Sequence, residues 1–380
     1  MKRYSYIILL FTLTSIISCK TKEREEENIL ESGVEIPVKY ASGLSIKDHG
    51  DFLLISVKNP WPKADKTYRY LLAEENAEIP EGLQYDQKVN IPVKKIVVTS
   101  TTHIPSLEIL NEEEKLTGFP GLEYISSEKT RNLISEGRIR ELGRNEALNT
   151  EALLDLRPDV VVGFSIDGSN KSFNTIQKSR IPVIFNADWT ENSPLGKAEW
   201  IKFFGALFGK TQEAEAFFEE VEKEYLDAKK LAQKAEERPT VLTGAMYKDQ
   251  WFLPAGNSWQ ASFLKDANAD YLFKDTEGTG SLSLSIETVL ARAANAEFWV
   301  GPAQFGKYEE LEAASSHYGE FLAFQNKNIF TFSSEKGETG GVIFYELAPN
   351  RPDLVLKDLI SIFHPQLLPD YKTTFYKPLE

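Results

Sequence analysis

Four histidines and one cysteine are all this chain offers as strong metal ligands or activators of a nucleophile. The histidines, at positions 49, 103, 317 and 364, are scattered, and no two stand at the spacing with which imidazoles grip one ion. The sequence has no Gly-x-Ser-x-Gly elbow, no Gly-x-x-x-x-Gly-Lys phosphate loop, no Gly-x-Gly-x-x-Gly after a strand and no His-Glu-x-x-His. Catalysis needs a nucleophile beside a base, a poised acid and base, or a metal cluster, so the chain reads as a binder and not an enzyme, with no cofactor of its own. It does offer rings beside a few polar groups: Phe164, Trp189, Tyr247, Trp251, Trp259, Phe305 and Tyr345 with Thr101, Thr102, His103, Arg144 and Ser281. Such a set suits a large, flat or chelated small molecule held by stacking and a few hydrogen bonds. Any one of these rings is by itself ordinary core; the group stands out because several fall at predicted strand ends. His103 at a strand end could serve as an axial ligand to a chelated metal or bond to the chelate's edge, and a helix start with no ligand role is an equal reading. Arg144 could meet a carboxylate or phosphate, although Arg138 and Arg140 nearby also fit a solvated basic turn.

Two glutamates stand out by position. Residues 151–163 read EALLDLRPDVVVG, and residues 287–301 read ETVLARAANAEFWVG. Each is a short helix opened by Glu, a polar turn and a buried strand ending in Gly. A carboxylate in a helix's first turn is favoured by the helix dipole, which accounts for Glu151 and Glu287 singly. Their equivalent places add a symmetric pair of negative charges, suited to a two-fold partner with basic sockets.

Residues 193–237 must hold these two halves in relation. Ser193 and Pro194 signal a helix start, and apolar residues recur at Trp200, Phe204, Leu207 and Phe208, then at Ala214, Phe217, Val221, Tyr225 and Leu231. The segment reads as two nearly continuous helices joined at Gly209, with one face solvated. Before it, strands predicted at 96–99, 116–119, 160–164 and 183–185 alternate with helices at 103–110, 129–136, 150–156 and 172–179. Strands spaced by helices make a parallel sheet whose ligands gather at the strands' carboxyl ends. The fold class is α/β: two lobes (94–192 and 238–380) with central, mainly parallel sheets, joined by a long helical backbone (193–237). Short alternating runs over 36–93 form a small antiparallel N-terminal β extension packed on the first lobe.

The chain's 380 residues suffice for two cores, and its net charge of −14 argues against nucleic acid as a partner. Lys2 and Arg3, an apolar run too short to span a bilayer, and Ile16-Ile17-Ser18-Cys19 read as a lipoprotein signal over 1–18, with Cys19 the lipidated residue and 19–35 a charged tether. The expectation is a monomer tethered to a membrane outside the cytoplasm, in the periplasm of a Gram-negative bacterium.

From about Lys95 onward the chain resembles the periplasmic substrate-binding proteins of ABC importers for iron-siderophore complexes, haem and vitamin B12. The Glu-led helix, Arg157-Pro158-Asp159 and hydrophobic strand within 149–162 look like that family's most recognisable stretch, and 285–292 resembles its second-lobe counterpart. The resemblance implies a metal chelate bound between the lobes and delivered to a dimeric ABC permease, whose arginines would receive Glu151 and Glu287. Ser281 stands where a cobalamin binder places tryptophan, and 36–93 has no counterpart in the family pattern. A surface receptor or sensor without transport, and a metallocofactor enzyme on a similar two-lobe fold, are the alternatives.

Overall fold

The computed structural model describes residues 32–380. The signal segment, Cys19 and most of the tether lie outside the described residues.

Five strands, β1 (Val34–Ile36), β2 (Leu44–Asp48), β3 (Phe52–Lys58), β4 (Thr67–Ala73) and β5 (Gln87–Asn90), form a sheet in sequence order. It is antiparallel through β4, and β5 joins parallel to β4, a departure from the wholly antiparallel expectation. Period-two alternation gives it two buried faces. Leu44, Ile46, Ile55, Val57, Tyr70, Leu72 and Val89 enter the main core, whereas Phe52, Leu54, Leu71 and Ala73 close over Leu83 in a satellite cluster.

The first lobe is built on β6 (Ile96–Val98), β7 (Leu116–Phe119), β8 (Arg140–Glu141), β11 (Val160–Gly163) and β12 (Val183–Phe185), a parallel sheet of order β12-β11-β6-β7-β8. The small ribbon β9 (Gly143–Arg144) and β10 (Ala147–Leu148) lies between β8 and β11 in the chain. From β6 the chain builds outward to β7 and β8, then returns to β6's other side for β11 and β12. The reversal point is the crevice between β6 and β11. The second lobe repeats the device in β16-β13-β18-β19-β20 (Asp270–Tyr271, Thr240–Thr243, Phe298–Val300, Ile329–Thr331, Lys377–Pro378), where only β20 runs antiparallel and the reversal lies between β13 and β18. A three-stranded antiparallel ribbon, β14 (Ala245–Tyr247), β15 (Gln250–Pro254) and β17 (Ser281–Leu284), rises from the end of β13.

The connecting backbone is three helices: Pro194–Glu199, Ile201–Phe208 and, after Gly209 in the left-handed conformation (φ 68°), Thr211–Ala232. The first two are buried on every side, against the expectation of one solvated face, because the N-terminal sheet covers the remaining side. Glu199 and Lys202 meet partners in the segment that leads from β1 to β2, while Lys197 donates to the carbonyls of Asp188 and Trp189. The Glu199 carboxylate accepts the backbone N–H groups of Lys39, Tyr40 and Ala41 at 2.8, 2.6 and 2.9 Å. Lys202, almost wholly buried, donates to Glu199 at 2.9 Å and to the Pro37 carbonyl at 2.7 Å. Glu191 likewise accepts from Gly43 N–H and from the Trp200 indole. The long helix is amphipathic as expected, with Phe218 and not Phe217 fully buried, so the stripe runs Ala214, Phe218, Val221, Tyr225, Ala228, Ala232.

Candidate functional site

Both reversal crevices open as cavities. The first-lobe cavity, about 670 Å³, is floored by Thr99, Ser100 and Thr101 after β6, Phe119 to Gly121 after β7, Arg144 to Glu146 from the small ribbon, and Phe164 after β11. The second-lobe cavity, about 330 Å³, is floored by Gly244 after β13 and Gly301 after β18 and walled by Phe252, Trp259, Ser281, Phe332 and Phe344. Tyr345 lines both, so the two cavities adjoin at this residue as the two halves of one cleft. Their sizes fall in the range of small-molecule sites.

Tyr345 is there because residues 335–350 leave the second lobe and lie on the first. Glu346 accepts from the backbone N–H groups of Ser126 and Ser127 at 2.7 and 2.9 Å, and the Thr339 hydroxyl donates to the Glu123 carbonyl at 2.8 Å. Asn350 bonds to the Ser106 hydroxyl at 2.9 Å and the Thr102 carbonyl at 3.0 Å. Gly337 and Gly341 permit the approach: a Cβ at either would stand 2.6 Å from a backbone oxygen of Ser126 or Tyr124.

Thr101, Arg144, Phe164, Trp259, Ser281 and Tyr345 thus line the cleft. Trp189 stands behind it, its ring edge-on to Phe164 at 5.3 Å and its indole N–H donating to the Pro60 carbonyl. Thr102 turns to the Ser100 hydroxyl at 2.9 Å and does not line the cavity. Tyr247 is 63% exposed beyond the cleft on the ribbon, near the Phe252 ring. Trp251 is fully buried, its indole bonded to the Thr243 carbonyl at 2.9 Å and its rings against Trp299, Tyr318 and Phe321. Phe305 is core against Tyr318. The structure therefore corrects Tyr247, Trp251 and Phe305 as cleft surface. On β15 the alternation of a strand puts Trp251 inward and Phe252 outward, so Phe252 takes the position assigned to its neighbour.

His103 is the largest correction. It is 1% exposed, packed on Phe204 of the connecting helices, and neither ring nitrogen has a hydrogen-bond partner among the described residues. Burial lowers its pKa to about 4, with only a partial opposing pull from Asp188. A neutral ring beneath the floor cannot reach a chelate, and the axial-ligand role is withdrawn.

Sequence reasoning passed over Glu123, Tyr124, Glu146 and Phe252, all of which line the cleft. The Pro120-Gly121 turn at the end of β7 marks the first two, since every strand end on this edge faces the same crevice. Beside the floor, Glu141 accepts from Gly121, Leu122 and Gly143 N–H groups. Burial opposes its ionisation, but these backbone donors outweigh it and hold its carboxyl below the usual value. Asn145 props the rim by donating to the Phe164 carbonyl at 3.2 Å.

Glu151 and Glu287 are exposed in the first turns of Thr150–Leu156 and Ile286–Ala293, capped by Asn149 and Ser285. Each helix runs back along its lobe before β11 or β18, so both carboxylates stand at the sheets' carboxyl-end side, where the cleft opens. The Glu287 carboxyl is held low by its own backbone N–H and the Ser285 hydroxyl. Among the described residues no group of three or more His, Cys, Asp or Glu could hold a bare metal ion.

The family model described as periplasmic binding protein matches residues 96–335, beginning just after the N-terminal sheet. An uncharacterized lipoprotein of Methanocaldococcus jannaschii is 29% identical, over 81% of this chain and 75% of its own length. Among solved structures, a periplasmic haem-binding protein of Vibrio cholerae superposes with a TM-score of 0.54 at 17% identity, covering 69% of this chain and 99% of that one. An ABC-type Fe3+-hydroxamate transport system protein of Saccharomonospora viridis gives 0.54 at 15% identity, over 72% and 94%. At these identities the structural likeness speaks to the fold.

Proposed function

The chain belongs to the periplasmic binding protein family, a solute-binding family, and we propose from this that it is the extracytoplasmic binding component of an ABC importer for a metal chelate. The chelate lies in the cleft against Trp259, Phe164 and Tyr345, and Glu151 and Glu287 present the loaded protein to a permease dimer. The observation that carries the reading is the meeting of the two reversal-point cavities at one tyrosine, with rings on both walls. The chemistry is binding and release. Lipidation at Cys19 tethers the protein to a membrane; the lipoprotein name of the archaeal relative supports this part.

Spectroscopy and mass spectrometry of protein purified after growth on iron, haem and corrinoid sources test the reading. A co-purifying chelate supports it; protein that binds none of the three when later titrated with them overturns it. A sensor without transport is separated by reversing both rim charges, which would leave its response intact.

A further inference from the structure

Charge is distributed unevenly across the cleft. Among the described residues, the second-lobe cavity is lined by no Asp, Glu, Lys, Arg or His. Lys197 stands over the Trp259 ring at 5.2 Å, and its ammonium is committed to the carbonyls of Asp188 and Trp189 at 2.9 and 3.0 Å. The first-lobe cavity carries Arg144 opposed by Glu123 and Glu146, all three exposed. Glu141, also exposed, adds an ionised carboxylate beside the same floor, bonded to the backbone N–H groups of Gly121 and Gly143, which line it. One guanidinium therefore stands among three carboxylates, and the chain as a whole has a net charge of −14.

We infer that the cleft selects an uncharged or cationic chelate and rejects a polyanionic one. The inference rests on the proposed function and names the substrate class within it. A ligand entering the cleft exchanges hydration for the groups it meets, so an anion must find enough donors to replace its water. Here it finds one arginine and a negative field, which opposes both its approach and its seat. A neutral complex with a greasy face loses little on desolvation and gains the rings of Phe164, Trp259 and Tyr345. A ferric tris-hydroxamate or a corrinoid meets this description. A ferric tris-catecholate, with three negative charges, does not, and haem brings two propionates to a site with one basic side chain.

The test is titration of the purified protein, followed by tryptophan fluorescence, with four probes: a ferric tris-hydroxamate, cyanocobalamin, haem and a ferric tris-catecholate. The expected result is binding of at least one of the first two, with the catecholate weaker by roughly a hundredfold or more, the scale on which like charges reject a partner. Raising ionic strength narrows the gap. Replacing two of the acids together, Glu123→Gln with Glu146→Gln, strengthens catecholate and haem binding by about tenfold relative to the neutral probe. Tightest binding of the catecholate or haem by the wild type, or a gap that the double variant leaves unchanged, overturns the inference while the importer reading stands. Failure of all four probes to bind overturns the importer reading itself.

Discussion

The carboxylate of Glu346 accepts a 2.7 Å hydrogen bond from the backbone N–H of Ser126, residues that lie 220 positions apart in the chain and on opposite lobes. With Glu346 bound also to Ser127, and with Thr339 and Asn350 reaching the first lobe nearby, the cleft has a second tie besides the connecting helices. Two ties on one hinge oppose wide opening. Ligand-free and ligand-loaded protein are therefore expected to give nearly superimposable small-angle scattering curves; a marked compaction on loading would contradict this.

Glu346 also sets a pH dependence. Burial pushes its pKa up to about 7, against the two N–H donors and with further help from Glu108. The folded protein therefore holds this proton more tightly than the unfolded chain does. The resulting stability is full below about 4.5 and is lost as pH rises through about 7, a change on the order of 3 kcal/mol. Urea unfolding of wild type and Glu346→Gln from pH 5 to 8 checks it: the difference in stability between them should move in the variant's favour as pH rises.

His103 acts in the opposite sense. Its folded pKa of about 4 lies below the reference 6.5, so its contribution is present above 6.5 and is lost as pH falls toward 4. His103→Leu removes two unpartnered nitrogens at similar volume. The variant should gain stability relative to wild type at pH 5 and bind chelate with unchanged affinity at pH 7. Loss of binding on this substitution would restore the role withdrawn from His103.

The cleft rings and the core rings should separate cleanly. Trp259→Ala and Tyr345→Ala are expected to weaken chelate binding by about ten- to a hundredfold each, the worth of a stacked aromatic contact, with little change in unfolding. Trp251→Ala should instead cost about 3 to 5 kcal/mol of stability by opening a cavity beside Trp299.

Reversing the charge of Glu151 and Glu287 to Arg should leave chelate affinity unchanged and abolish uptake in cells. A sensor would keep its signalling response in the same variant.

Much of the scaffold was legible because its signals are local. Strand-forming runs such as 96–98 and 160–163 and the cap at Ser193 announce themselves within a few residues. Parallel sheets follow once strands and helices alternate, but the strand order that makes the reversal points does not. What stayed hidden depends on partners far away in the chain. Nothing near Lys202 or Glu199 says that 37–41 will cover them, so those helices read as half-solvated. Which of Trp251 and Phe252 faces the cleft depends on how the ribbon lies over the sheet, and a strand's alternation alone leaves both faces open. His103 sits one turn past a strand end, where a single helical step carries a side chain from the cleft to Phe204.

The most direct test of a chelate-binding cleft is calorimetric titration of the lipid-free protein with the chelate recovered from growth, alongside the Trp259→Ala/Tyr345→Ala double variant. The account predicts one chelate bound per wild-type chain and binding lost in a double variant that unfolds like the wild type. Undiminished binding by that variant would place the ligand elsewhere and contradict the account.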